Sequence, residues 1–168
     1  AKQYQKTIVL PEGEDERILK AAHIIAEEEA ANLVILGDEA QISAYYAEKG
    51  WDMKHITLVN PETSPKLNEY ATLLFDLRKA KGMTEEQALK TAKDANYFGT
   101  LMVKAGDADG MLSGANHSTA DTVRPALQII KSAHKDRGVS AALIAVKDNE
   151  PYLLSDCAVV IDPTDKEL

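Results

Sequence analysis

Leu33-Val34-Ile35-Leu36-Gly37-Asp38 is the stretch on which the fold turns. Four apolar residues run without alternation, so the strand they form is buried on both faces. Gly37 ends it. Asp38 is placed to cap a helix running to about Lys49, which Gly50 stops. The neighbouring segments repeat the pattern. Thr7–Leu10 is a β-branched run closed by Pro11, and Ile56–Val59 is another closed by Asn60-Pro61. Between the first two lies a helix from about Asp15 to Glu28, with Ile18, Ala21, Ala22 and Ile25 on one face. Continuous apolar strands alternating with helices predict an α/β fold of three layers, αβα. Its sheet is mainly parallel, is covered on both faces and has right-handed crossovers.

From about Pro65 to Ala105 the pattern is helical, with Leu67, Tyr70, Leu73, Leu74 and Leu77 on one stripe. Gly82 interrupts it, and Thr84-Glu85-Glu86-Gln87 offers a capping box for the next helix. Gly110–Leu112 is a short strand. Thr119–Ala133 is a helix expected to turn Val123, Ala126, Leu127 and Ile130 to the core. Ala141–Val146 and Pro151–Leu154 flank the turn signal Asp148-Asn149 and predict a hairpin. Cys157–Ile161 is one more apolar run, and Asp162-Pro163-Thr164 resembles the cap of a helix that does not follow.

With 168 residues, 45% apolar and 27% charged, the chain is of ordinary globular composition and holds at least one full core. A net charge of -8 argues against a nucleic-acid or anionic-membrane surface. No window approaches the length of a membrane span. The single cysteine, Cys157, permits no intramolecular disulfide and fits a cytoplasmic location. His23, His55 and His134 lack partners at metal-ligand spacing, so no metal site is expected. No Walker loop, GxGxxG or G-x-S-x-G elbow is present, which removes the usual support for nucleotide hydrolysis, dinucleotide redox chemistry and α/β-hydrolase chemistry.

The chemistry concentrates in Gly106–Lys131, where a short strand delivers Ser113-Gly114-Ala115-Asn116-His117-Ser118-Thr119 onto a helix. Two readings stand side by side. Ser118-x-x-Asp121 is a plain helix cap. Alternatively, a polar loop at the C-terminal end of a parallel strand is an anion site, for phosphate or acyl phosphate. Arg124, one turn into the helix, either binds that anion through its planar fork or pairs with Asp121 on the surface. Arg78, beside Lys79 and Lys81, reads as part of a solvated helix face. His117 is either a structural hydrogen-bonding residue or a general acid or base. Asp107 and Asp109 read as turn formers, and Cys157 as a packed residue.

Two blocks then carry a resemblance. Lys6-Thr7-Ile8-Val9-Leu10-Pro11-Glu12-Gly13-Glu14-Asp15-Glu16-Arg17 is one. The other begins at Asp109-Gly110, passes through Ser113-Gly114-Ala115, and continues from His117 through Val123-Arg124-Pro125 to Lys131. Together with Asp156-Cys157-Ala158 and Asp162-Pro163-Thr164, they resemble the phosphate acetyltransferase (phosphotransacetylase) and phosphate butyryltransferase family over the whole length. The resemblance implies an isocitrate/isopropylmalate dehydrogenase-like fold of two domains with a cleft between them. It implies transfer of an acetyl group between coenzyme A and phosphate, by direct attack of the CoA thiolate on acetyl phosphate. CoA is then a substrate, no cofactor is needed, and the enzyme is a homodimer. Arg78 and Arg124 fall on arginines the family uses for phosphate and CoA groups. Ser113, Asn116, His117, Ser118, Thr119 and Thr122 line the cleft.

Family members run to about twice this length, and the part absent here carries a Ser-Arg pair, a further Arg and the Asp proposed as base. No catalytic residue is therefore expected in this stretch. Asn116 also departs from the small or apolar residues common at its position. The resulting expectation is a first domain over 1–138 carrying the Ser/Thr/Arg loop. The opening strands of a second, truncated domain would follow over 139–168. The alternatives are a substrate-binding or assembly fragment that does not turn over, or a butyryl-type acyl transferase.

Overall fold

A computed structural model describes residues 3–131 and 142–155. Packing divides the chain into two compact units, Ala1–Ile130 and Lys131–Leu168. The boundary expected at 138/139 and the run Cys157–Ile161 lie outside the described residues, as do Cys157 and His134.

The first unit is built on β1 (Thr7–Leu10), β2 (Asn32–Leu36), β3 (Ile56–Val59) and β4 (Gly110–Met111), in the order β3-β2-β1-β4. All three pairings are parallel, with Val9 opposite both Val34 and Met111. β4 therefore returns to the side of β1 away from β2. Both loops that leave the C-terminal ends of β1 and β4 emerge side by side.

Strand alternation splits the apolar residues between two cores. Leu10, Leu33 and Ile35 face α1 (Glu16–Glu27) and α2 (Glu39–Lys49), packing on Leu19, Ala22, Ile42 and Tyr46. Val9, Val34 and Leu36 face α3 (Leu67–Arg78), α4 (Glu85–Ala92) and α5 (Ala95–Ala105), meeting Tyr70, Leu74, Ala92, Phe98 and Leu101. This is the expected αβα arrangement. The buried stripe of α1 is Leu19, Ala22 and Ala26, while Ala21 is exposed and Ile18 and Ile25 pack at the rim. The helix is thus rotated from its expected face. The predicted caps are in place: Asp38 accepts from Ala40 and Gln41, Gly50 is left-handed, and Thr84 and Gln87 form the capping box.

Two glycines set close approaches. A Cβ at Gly99 in α5 would lie 2.7 Å from Met111 Sδ and 3.0 Å from Val9 Cγ1, so α5 lies directly on β1 and β4. Gly13 donates its N–H to the Leu36 carbonyl at 3.1 Å. A Cβ there would collide with that oxygen and with Ile35 and Ile42. The turn after β1 is therefore pinned to the end of β2.

The helix after the β4 loop departs from expectation. α6 covers only Thr119–Pro125 and opens into a π-helical segment, Ala126–Ile130. Pro125 has no N–H to donate, which favours a widened turn at that point. The wider turn shifts the inward face. Ile129 is fully buried, whereas Leu127 and Ile130, expected in the core, are 45% and 40% exposed.

Of the second unit, the hairpin is described: β5 (Ala142–Lys147) pairs antiparallel with β6 (Glu150–Ser155). Asp148 and Asn149 both take positive φ, the requirement of a two-residue primed turn. Its pairs are apolar on both faces: Leu143 with Leu154 on one, Ile144 with Leu153 on the other. These side chains are exposed.

Candidate functional site

The loop after β4 closes on an anion, and the anion belongs to the protein. Glu12, in the turn after β1, is fully buried. Its Oε2 accepts the backbone N–H groups of Gly114 and Ala115 at 3.0 and 2.9 Å. Its Oε1 accepts those of Asn116 and His117 at 2.9 and 3.0 Å. Gly114 sits at φ +116, a conformation suited to glycine, which bends the loop round the carboxylate. His117 Nδ1 lies 2.8 Å from Glu12 Oε1. An ionised carboxylate only accepts, so Nδ1 carries the proton.

Burial alone would raise the Glu12 pKa. The N–H groups of Asn116, Ala115 and His117 and the His117 ring outweigh burial and bring it from 4.5 down to about 2.

The same N-terminal turn holds the loop at two further points. Asn116 Nδ2 donates to Glu14 Oε1 at 2.8 Å, and Arg17 Nη2 donates to the Ala115 carbonyl at 2.7 Å. Arg17 is itself oriented by Asp15, the N-cap of α1. The two sequence blocks read separately, Lys6–Arg17 and Asp109–Lys131, thus form one clamp.

Beyond the clamp, Ser113 Oγ donates to Asn96 Oδ1 at 2.8 Å and lies 3.4 Å from Thr122 Oγ1. Asn96 is a buried polar residue in the first turn of α5. Ser118 caps α6, accepting from the Asp121 N–H and donating to Asp121 Oδ2. The cap reading of Ser118-x-x-Asp121 therefore describes what is there. Thr119 is exposed at the helix start.

The next residue of α5, Tyr97, marks a second cluster. Its hydroxyl donates to Gln128 Oε1 in the π-helical segment at 2.9 Å. Burial raises the Tyr97 pKa, while the positive charges of Arg124 and Arg78 act in the opposite direction. Two arginines from separate elements, α6 and the end of α3, thus act on the Tyr97 phenol through their charge, against that of Asp94. Arg124 is half-exposed and reaches Asp121 only at 3.4 Å. Arg78 is half-buried, and its Nε is buried with no hydrogen-bond partner among the described residues. That position differs from the solvated face expected from Arg78-Lys79 alone.

Other candidates resolve into structure. Asp109 accepts from Lys6 Nζ and the Thr7 N–H, and Asp107 accepts from the Tyr70 hydroxyl at 2.6 Å. His23 stacks on Trp51 at 4.3 Å, and His55 Nδ1 meets Asn32 Oδ1. Among the described residues, no helix is long and apolar enough to cross a membrane, and no group of three His, Cys, Asp or Glu is placed to hold a metal.

Glu12 is the residue that sequence reasoning missed. The signal was an acidic residue directly after the Leu10-Pro11 strand end, but its partner lies 102 residues on. Only the adjacency of β1 and β4 brings the two together.

The profile of the family described as phosphate acetyl/butaryl transferase matches residues 1–168. The chain belongs to that family. It is 42% identical over 168 residues to a phosphate acetyltransferase of Helicobacter pylori, covering all of this chain and 32% of the relative. A phosphate acetyltransferase of Thermoanaerobacterium thermosaccharolyticum is 45% identical over 174 residues, covering all of this chain and 52% of the relative. The crystal structure of a phosphotransacetylase from Streptococcus pyogenes superposes with a TM-score of 0.87 at 40% identity, over 95% of this chain and 49% of that one. The chain thus spans from about a third to about half the length of these relatives. The α/β fold with its mainly parallel sheet is the family's.

Proposed function

We propose that the Ala1–Ile130 unit supplies one wall of a site that moves an acetyl group between coenzyme A and phosphate. The observation that carries this reading is Arg78 Nε, buried and lacking an acceptor among the described residues, with Arg124 held only by a 3.4 Å surface contact to Asp121. Buried guanidinium groups are paired as a rule, and a phosphate or pyrophosphate oxygen is the acceptor this geometry lacks. In the transfer, the CoA thiolate attacks the acetyl carbonyl carbon. A C–S bond forms, and the C–O bond to phosphate breaks with its electron pair on the phosphate. Arg78, Arg124 and the hydroxyls of Ser113 and Thr122 serve the charged substrate, a contribution on the order of a few kcal/mol per donor. His117, Asn116, Ser118 and Thr119 shape the segment that leads from Ser113 into α6, where Thr122 and Arg124 lie.

The membership in a family whose relatives are named phosphate acetyltransferase supports this substrate choice over a longer acyl group. CoA is a substrate here, with no metal or organic cofactor, and the working protein is a cytoplasmic homodimer. The single cysteine is consistent with that compartment.

Calorimetric titration with CoA and with acetyl phosphate tests the reading. The parent chain is expected to bind both, and Arg78→Ala is expected to bind ~10-fold or more weakly, the scale of one lost charge-assisted contact. Equal affinity of parent and variant removes Arg78 from the site. Mixing the chain with CoA and acetyl phosphate and following thioester absorbance tests turnover. Little or none is expected, because the Ser-Arg pair and base Asp of the family have no counterpart in these 168 residues. Turnover at the rate of a full-length relative would show that this stretch needs no further groups.

A further inference from the structure

A loop rich in backbone N–H groups beside a phosphate-handling cleft invites the reading that its amides hold the substrate anion. The geometry points to a different division of labour. We propose that Glu12 is the positioning residue of this site. Its buried carboxylate permanently fills the N–H concavity of Gly114–His117, fixing the loop that joins Ser113 to α6, from which Thr122 and Arg124 reach the substrate. This rests on the acetyl-transfer reading for what the substrate is, but not for what Glu12 does to the loop.

Three observations carry it. Four successive amides, from Gly114 to His117, converge on one carboxylate at 2.9–3.0 Å. Glu12 has no exposed surface, so no ligand anion can share these donors without displacing it. The carboxylate is itself held from below, because Gly13 is pinned to the Leu36 carbonyl and leaves no room for a side chain. The loop is thus tied through Glu12 to the end of β2, the centre of the sheet. The bond to Nδ1 also fixes the His117 ring: in the neutral ring Nε2 is left as the acceptor.

The consequence is a loop whose shape exists before substrate arrives, with its backbone donors withdrawn from substrate binding. Substrate charge is left to the arginines and hydroxyls. A carboxylate acting this way is replaceable by another small carboxylate, which a residue that only fills space is not.

Chemical rescue tests this. CoA is titrated calorimetrically into the parent chain and into Glu12→Ala, each in chloride and in formate at equal ionic strength. The variant is expected to bind CoA ~10-fold more weakly in chloride and to regain most of that loss in formate, while the parent is unaffected. Affinity of Glu12→Ala within about twofold of the parent in chloride overturns the proposal, and so does formate acting no better than chloride. Should Glu12→Ala not fold, Glu12→Gln is read by the amide proton shifts of Gly114, Ala115, Asn116 and His117. These are expected downfield in the parent relative to the variant, because a charged acceptor polarises them more than an amide oxygen does. Coincident shifts overturn the proposal. If the parent itself binds neither CoA nor acetyl phosphate, the acetyl-transfer reading fails, and the amide shifts still decide the role of Glu12.

Discussion

The clamp at Glu12 and the two arginines Arg78 and Arg124 satisfy their charges in opposite ways. At the clamp, the buried carboxylate receives four amides and a histidine, and its neighbours Glu14 and Arg17 are spent on the same loop. At the arginine pair, Arg78 Nε has no acceptor among the described residues, and Arg124 has only a stretched surface contact. A region whose charges are consumed internally stabilises the fold. A region that holds charge in reserve is prepared for something else. The difference sets the loop's backbone on the side of architecture and leaves the arginines' charge unspent, although sequence pattern placed Arg124 and the loop in one polar segment.

The largest way to break this comparison is to remove the clamp's charge. Glu12→Ala leaves four loop amides without their acceptor and is expected to cost about 3 kcal/mol, within the range for breaking the network of a buried charge. The urea midpoint of the first unit reads this. A loss under about 1 kcal/mol would mean that water replaces the carboxylate at little expense, and the two regions would no longer be opposites.

The same charge predicts a pH dependence. The folded-state pKa of Glu12, about 2, lies below its ordinary 4.5. Its contribution is therefore complete above about pH 4.5 and is lost as pH falls toward 2, a loss of about 3 kcal/mol at 1.36 kcal/mol per unit. Glu12→Gln is expected to flatten the acid limb of stability in that window. An acid limb identical in parent and variant would show that Glu12 is not held ionised by the loop.

How far the sequence disclosed these regions follows from the range of the interactions. The strands Thr7–Leu10, Leu33–Leu36 and Ile56–Val59 are legible because burial on both faces leaves an unbroken apolar run. The caps at Asp38, Thr84 and Ser118 are legible because a cap is a contact over two or three residues. The buried stripe of α1 is displaced because a helix face is chosen by the sheet beneath it. Ala21 and Ala22 look alike to periodicity, yet only Ala22 meets the core. The π segment is missed because the apolar stripe of Val123, Ala126, Leu127 and Ile130 reads as one continuous helix, whereas the lost N–H of Pro125 favours a widened turn after it. The loop residues are legible as a set, since polar groups cluster there. Glu12 is not, because its role depends on the strand order β2-β1-β4, and that order is a property of the whole sheet.

Tyr97→Phe removes the hydroxyl that anchors Gln128. It is expected to cost about 1 kcal/mol, the net worth of one neutral hydrogen bond. It should also loosen the π segment, raising amide exchange over Ala126–Ile130 more than over α3. Uniform exchange across both would mean that Pro125 alone, and not the Tyr97–Gln128 contact, sets the segment.

The smallest stability effect belongs to Arg124, and its smallness is the point. Its partner Asp121 is three residues back, 3.4 Å away, and both are about half-exposed. Pairs of this kind contribute about 0.2–0.5 kcal/mol. Arg124→Ala is therefore expected to unfold within about 0.5 kcal/mol of the parent while binding CoA or acetyl phosphate ~10-fold more weakly. A residue that costs binding without costing stability holds its charge in reserve, the role proposed for Arg78. Were Arg124→Ala instead to lose stability and keep its affinity, Arg124 would belong to the structural side of the comparison with Glu12. The substrate charge would then fall to Arg78 alone.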